Sequence, residues 1–241
     1  VSVVALRLAG PLQAWGSGSR FVRRGTDIAP TKSGIIGMVA AARGLRRTDP
    51  LEELLALSFA VRIDQPGQLL RDFQTAQRPR RDRNGDLSWQ SLPLSARYYL
   101  TDATFLAVLE GERALVEGID AAVRAPHFPL YLGRRSCPPA GPVALGVSDQ
   151  SLHDVLETWP WLASSRVQKQ HRERVVQLAT IRDAAPDETA VESIRDTPVS
   201  FDPNHRDYAW RSVVRDTVEV PNPHGVSDPA PEHDPMTVLG G

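Results

Sequence analysis

Residues 9–47, AGPLQAWGSGSRFVRRGTDIAPTKSGIIGMVAAARGLRR, decide how the rest of the chain is read. A short apolar strand gives way to a glycine-rich loop carrying Gln13, Trp15, Arg20, Arg23 and Arg24. The chain then enters a helix through Pro30, Thr31, Lys32, Ser33 and Gly34, with helical spacing over residues 33–47. A Ser or Thr cap leaves the first backbone N–H groups free and partly positive, a setting that suits a phosphate. The first 50 residues hold eight basic side chains against two acidic ones, although the whole chain stands at -1. Residues 1–145 carry 19 basic and 13 acidic residues, and residues 146–241 carry 9 and 16. One half can therefore face a polyanion while the other stays neutral or repels it.

Working outward, residues 2–8, 58–64, 103–110 and 142–147 read as strands, and residues 112–125 as a helix with apolar Leu115, Ile119, Ala122 and Val123. With the helix at 33–47, the order is strand, helix, strand, strand, helix, strand. That order predicts an α+β, ferredoxin-like domain of the kind used by RNA-recognition modules, over residues 1–148. Residues 69–77 and 95–101 read as extended partners joined by a polar segment with an Asn84-Gly85 turn, an inserted basic β-hairpin at about 72–101. Residues 149–220 form a β-rich extension with a short helix at 151–162 and strands at 174–183 and 208–220. Residues 221–241, rich in proline, glycine and acid, are expected to be a disordered tail.

Composition sets the outer bounds. A chain of 241 residues with 41% hydrophobic and 24% charged residues is an ordinary globular protein. No apolar run reaches the ~20 residues that cross a bilayer, and no charged leader with an apolar segment opens the chain, so a cytoplasmic, membrane-free protein is expected. The single cysteine, Cys137, excludes an intrachain disulfide and a cysteine-based zinc cluster. Six scattered histidines have no metal-ligand spacing, so no metal and no cofactor are expected. All basic residues except Lys32 and Lys169 are arginines, whose planar forks fit phosphates and stack on bases.

Three constellations can carry chemistry. In the glycine-rich loop, Arg20, Arg23 and Arg24 can grip phosphates while Gln13 or Trp15 meets a base; alternatively, Trp15 is simply a core residue. On the hairpin, Arg80, Arg81 and Arg83 near the tip and Arg97 at the root are joined by Trp89, Tyr98 and Tyr99, flat surfaces that suit stacking on a single strand. In YLGRRSCPP, residues 131–139, Gly133 turns the backbone so that Arg134 and Arg135, with Tyr131 and Ser136, offer an anion nest. Cys137 is either an activated thiol or a small buried filler, and no partnering histidine favours the former. His127, Tyr131 and Lys32 are the groups from which a metal-free ribonuclease centre can be built.

Three separated segments, LRLAGPLQAWG, PTKSGIIGMVAAARG and YLGRRSCPP, resemble the signatures of the CasD family, the Cas-five-type subunit of the type I-E CRISPR surveillance complex called Cascade. RDFQTA and RYYLTDATF lie between them in matching order. The resemblance covers residues 3–148 well and the remainder more loosely. It implies a non-catalytic subunit that caps the 5′ handle of the CRISPR RNA in antiviral defence, gripping it through residues 13–33, 80–97 and 131–137, Lys32 and Ser33 included. The hairpin corresponds to a thumb over the guide, and Arg97 falls where relatives also carry arginine. The implied partners are the handle, the backbone and large subunits, and target DNA indirectly. Some relatives of another subtype cut precursor RNA, so a metal-independent endoribonuclease is the alternative. Against it, lysine is scarce and Gln74 stands where resembling sequences often place histidine.

Overall fold

A computed structural model describes residues 1–16, 23–81, 84–189 and 192–226, apart from the side chain of Arg23. Arg20 and Arg83 lie outside these residues. Strand β1 (Ser2–Ala9) is apolar on both faces, which requires a sheet covered on both sides. The chain continues through β2 (Leu12–Gln13), β3 (Arg23–Arg24), α1 (Lys32–Ala42), a one-turn α2 (Glu52–Leu55) and β4 (Ser58–Gln65). Next come β5 (Gln68–Gln74), β6 (Gln77–Arg81), β7 (Leu87–Ser91), β8 (Ser95–Thr101), β9 (Thr104–Gly111), α3 (Arg113–Arg124) and β10 (Ala144–Ser148). The last third contributes α4 (Leu152–Thr158), α5 (Ser165–Gln170), β11 (Val175–Asp183), β12 (Glu192–Ser200) and β13 (Asp207–Pro221).

The main sheet has seven strands in the order β10-β1-β9-β4-β11-β13-β12, every neighbouring pair antiparallel. Val4, Leu6 and Leu8 of β1 join Phe59, Val61, Phe105, Ala107 and Leu109 in a core capped by α1 and α3. Val3 and Ala5, pointing the other way, join Ala60, Leu106 and Val108 under α4 and Trp161. The extension at 149–220 continues the same sheet: Thr180, Ile181 and Arg182 of β11 pair with Arg62, Val61 and Ala60 of β4. An otherwise bare edge of β4 is thereby covered.

A second sheet carries the insertion. β8 pairs with β2, with β3 and, along its whole length, with β5. Beyond it β6 and β7 form a two-stranded hairpin, Pro79 opposite Trp89, with Gly85 at φ +89° near its turn. The arm is longer than the expected 72–101, since its first strand begins at Gln68.

Local chemistry explains where the elements stop. α1 ends at Ala42, five residues short of the expected end. Gly44 takes φ +80°, and the N–H groups of Gly44 and Leu45 return to the carbonyls of Ala41 and Ala40, a glycine-terminated helix end. α4 stops at Thr158 because Trp159 precedes a proline and adopts extended backbone. Asn222, within the expected tail, is buried instead, and its side-chain amide donates to the carbonyls of Gln168, His171 and Glu173. Residues 227–241 lie outside the described residues.

Arg62 and Asp64 form a fully buried ion pair between the main sheet and α4, at 2.7 and 2.8 Å. The guanidinium also donates to the carbonyls of Leu156, Trp159 and Pro160, so it caps the end of α4 from within the core. Among the described residues no helix is long and apolar enough to cross a membrane.

Candidate nucleic-acid interface

The loop after β1 is built from the inside. Gln13 is completely buried, its amide donating to the carbonyls of Leu8 and Ala103 at 3.1 and 2.7 Å and its oxygen accepting the Trp15 indole N–H at 3.0 Å. Trp15 is also buried, and its ring lies against α1 at Gly34, where a Cβ would come within 2.8 Å of it. Neither side chain is available to a base. The expectation of base contacts is corrected: both residues anchor the loop to the core. Thr26 holds the return of the loop, accepting the Trp15 backbone N–H at 2.9 Å.

The phosphate site expected at the start of α1 is occupied from within the chain. Thr31 caps the helix, its hydroxyl accepting the Gly34 N–H at 3.2 Å. The Lys32 N–H donates at 2.8 Å to a carboxylate oxygen of Asp196, which is buried on β12. The Lys32 ammonium pairs with Asp183 at 2.8 Å, and Arg211 bridges Asp183 and Asp196 at 2.7 and 2.6 Å. Lys32 is thus buried and committed, contrary to the expectation that it meets RNA, while Ser33 is buried with its hydroxyl 3.4 Å from that of Thr31.

Tyr131, Arg134, Arg135 and Ser136 lie on the loop after α3. Gly133, at φ +85°, packs so closely on Ala14 that a Cβ would run into the Ala14 carbonyl. Arg134 turns inward: its guanidinium donates to the carbonyl of Tyr98 at 3.0 Å and to those of Arg24 and Gly25 at 2.9 Å each, 4.8 Å from the centre of the Tyr99 ring. Arg135 and Ser136 turn outward. Cys137 is buried, and burial pushes its thiol up, which removes the activated-nucleophile reading.

These segments meet around an open cleft of about 1570 Å³ between α1, the two loops and the β12–β13 hairpin. Arg24, Tyr131, Arg134, Arg135 and Ser33 line it, as the sequence analysis expects, together with Arg46, Arg47, Arg206, Tyr208 and Trp210, which it missed. Arg46 and Arg47 were findable, since an arginine pair two residues after a helix-ending glycine sits beside the helix end. The two walls differ electrically. Arg24, Arg46, Arg47 and Arg135 are exposed and form no ion pair among the described residues. On the opposite wall Arg195 pairs with Asp207, Arg215 with Glu192, and Arg211 with buried Asp196 and half-buried Asp183.

The hairpin contributes a second basic surface outside the cleft lining. Arg80 and Arg81 are exposed, with Trp89 63% exposed on the facing strand. Arg97, at the root, is half-buried and lies in register with Arg24 of β3, which joins the hairpin root to the loop; its Nε has no hydrogen-bond partner. His127 packs against Phe128, 4.5 Å between ring centres, and does not line the cleft. Among the described residues no cluster of His, Cys, Asp and Glu could hold a metal ion.

An arginine-lined cleft rooted on a sheet covered on both faces, with a basic hairpin on a second sheet, characterises a strand-rich, mixed α/β protein. The family model described as CRISPR-associated protein (Cas_Cas5) matches residues 3–214, and the chain belongs to that family. Over 165 residues it is 37% identical to the CRISPR system Cascade subunit CasD of Escherichia coli (strain K12), covering 62% of this chain and 73% of that protein. A chain from a structure described as a CRISPR RNA-guided surveillance complex aligns with TM-score 0.76 and 33% identity, over 98% of this chain and 97% of the other. A crystal structure of a Cas protein aligns with TM-score 0.68 and 34% identity, over 95% and 100% respectively.

Proposed function

We propose that this chain is a non-catalytic subunit of a Cascade-type CRISPR surveillance complex, and that it binds the 5′ handle of the guide RNA in the cleft. The observation that carries this reading is the asymmetry of the cleft: among the described residues Arg24, Arg46, Arg47 and Arg135 on one wall form no ion pair, whereas Arg195, Arg211 and Arg215 opposite are each paired with an acid. Phosphates follow the first wall. Family membership favours guide RNA as the polyanion.

The four strands β10-β1-β9-β4, antiparallel and capped by α1 and α3 on one face, support reading the core as ferredoxin-like. The exposed hairpin with Arg80, Arg81 and Trp89 fits a thumb laid along the guide, and the backbone and large subunits are its neighbours in the complex. The cytoplasm is the compartment this reading requires. A ribonuclease built on Lys32, Tyr131 and His127 is disfavoured, since the Lys32 ammonium is held by Asp183 and His127 stands apart from the cleft.

The test is titration of a 5′-labelled repeat-derived RNA with the full chain, alone and with Arg135→Ala. Binding with a log–log salt slope that falls in size by about 0.7 in the variant supports the reading, one phosphate contact of a single strand having been removed. Cleavage of that RNA in EDTA would replace it with the nuclease.

A further inference from the structure

Arg134 and Arg135 are adjacent and chemically identical, yet the backbone sends them to different tasks. Arg134 places three donors on three carbonyls from two separate segments: Tyr98 in β8, at the root of the hairpin, and Arg24 and Gly25, where the glycine-rich loop returns through β3. Its planar group lies over the Tyr99 ring, and Tyr99 is buried. Gly133 fixes the approach, because only a residue without a Cβ fits against Ala14 at φ +85°. A lysine at 134 could carry the charge but not the fork that spans three acceptors.

We infer that Arg134 is a positioning residue, which ties the loop carrying Arg24 to the hairpin root so that both present their cations to one strand of RNA. It acts through the loop and does not hold a phosphate itself; Arg135, turned outward beside it, is the phosphate contact. This inference rests on the RNA-binding reading only for its consequence in affinity. The tie between loop and hairpin is a property of the protein alone.

The experiment compares the full chain with Arg134→Lys, Arg134→Ala and Arg135→Ala, by RNA titration over a range of salt and by amide hydrogen exchange without RNA. Both Arg134 variants are expected to lose about tenfold or more in affinity, the scale of one hydrogen bond from a charged group, with the salt slope unchanged. Arg135→Ala reduces the slope by about 0.7. In exchange, protection around Gly25 and Thr26 falls in both Arg134 variants while β1 and β9 keep theirs.

If Arg134→Lys binds as the parent does and Arg134→Ala loses about 0.7 of slope, Arg134 is a phosphate contact and the inference is overturned. Unchanged protection at Gly25 and Thr26 overturns it too, as does loss of protection in β1 and β9, which would make Arg134 a support of the whole fold. If the parent binds no RNA, the functional reading falls, and the exchange arm still decides the role of Arg134.

Discussion

The backbone N–H of Lys32, at the start of α1, donates at 2.8 Å to the side chain of Asp196, 164 residues further along the chain. The positive end of a helix that reads, in sequence, as a phosphate site is thus neutralised by the protein's own carboxylate. The same carboxylate holds Arg211, and through Asp183 the network reaches the Lys32 ammonium. Edge strand β12 is bound to α1 by charge as well as by packing.

Replacing Asp196 by alanine removes the acceptor of two Arg211 donors, leaves Asp183 as the one carboxylate for Lys32 and Arg211, and opens the helix start. We expect a loss of about 3–5 kcal/mol, the usual result of removing one partner from a buried charge network, read from the urea midpoint. Sulfate should recover more stability in Asp196→Ala than in the parent, because the vacated helix start accepts an anion. Equal sulfate effects would contradict the occupancy described here.

Parts of this architecture were legible in the sequence. β1, β4, β9 and α3 announce themselves through local periodicity, because each buries a face whose pattern lies within a few residues. β12 does not: Arg195, Asp196 and Pro198 all argue against a strand, yet an edge strand tolerates proline and its charges find partners on α1 and β13. Gln13 and Trp15 look like base contacts in a glycine-rich loop, but Gln13 is held by a carbonyl 90 residues away in Ala103 and Trp15 packs on α1 at Gly34. Nothing in the string distinguishes Arg134 from Arg135. Only the turn at Gly133 and the carbonyls of distant segments do.

Arg62 is placed where a hydrophobic side chain would be expected; besides pairing with Asp64, its guanidinium donates to three carbonyls near the end of α4. Arg62→Ala leaves Asp64 buried without its cation and should cost about 3–5 kcal/mol. A thermal melt and a proteolysis map should show the change, with α4 the first element released. Cleavage beginning in the hairpin instead would assign Arg62 a lesser part.

Gly133→Ala tests the approach of the loop to the core. The left-handed conformation and the Ala14 carbonyl together exclude a Cβ, so the loop must shift. Binding of RNA should weaken by about tenfold or more, the loss of at least one charged hydrogen bond of Arg134, while Gly118→Ala on α3, where a Cβ would meet open space, leaves binding unchanged.

At the surface, the Arg182 guanidinium grips Glu188 through two bonds of 2.6 Å and, with the Ala185 N–H, holds its carboxyl at about 2 instead of the ordinary 4.5. Between those values the unfolded chain binds the proton and the folded chain does not, so stability rises with pH. The contribution is complete above pH 4.5 and disappears as pH falls through about 2. A carboxyl titration followed by NMR should place Glu188 at about 2, and Arg182→Gln should return it toward 4.5.

In the proposed complex the guide RNA runs along the cleft wall of Arg24, Arg46, Arg47 and Arg135. Cross-linking the full chain to a repeat-derived RNA with 4-thiouridine through its 5′ handle, followed by peptide mapping, tests it most directly. The account predicts cross-links in residues 24–26, 45–47 and 128–136. Cross-links confined to α3 and α4, on RNA that is demonstrably bound, would contradict it.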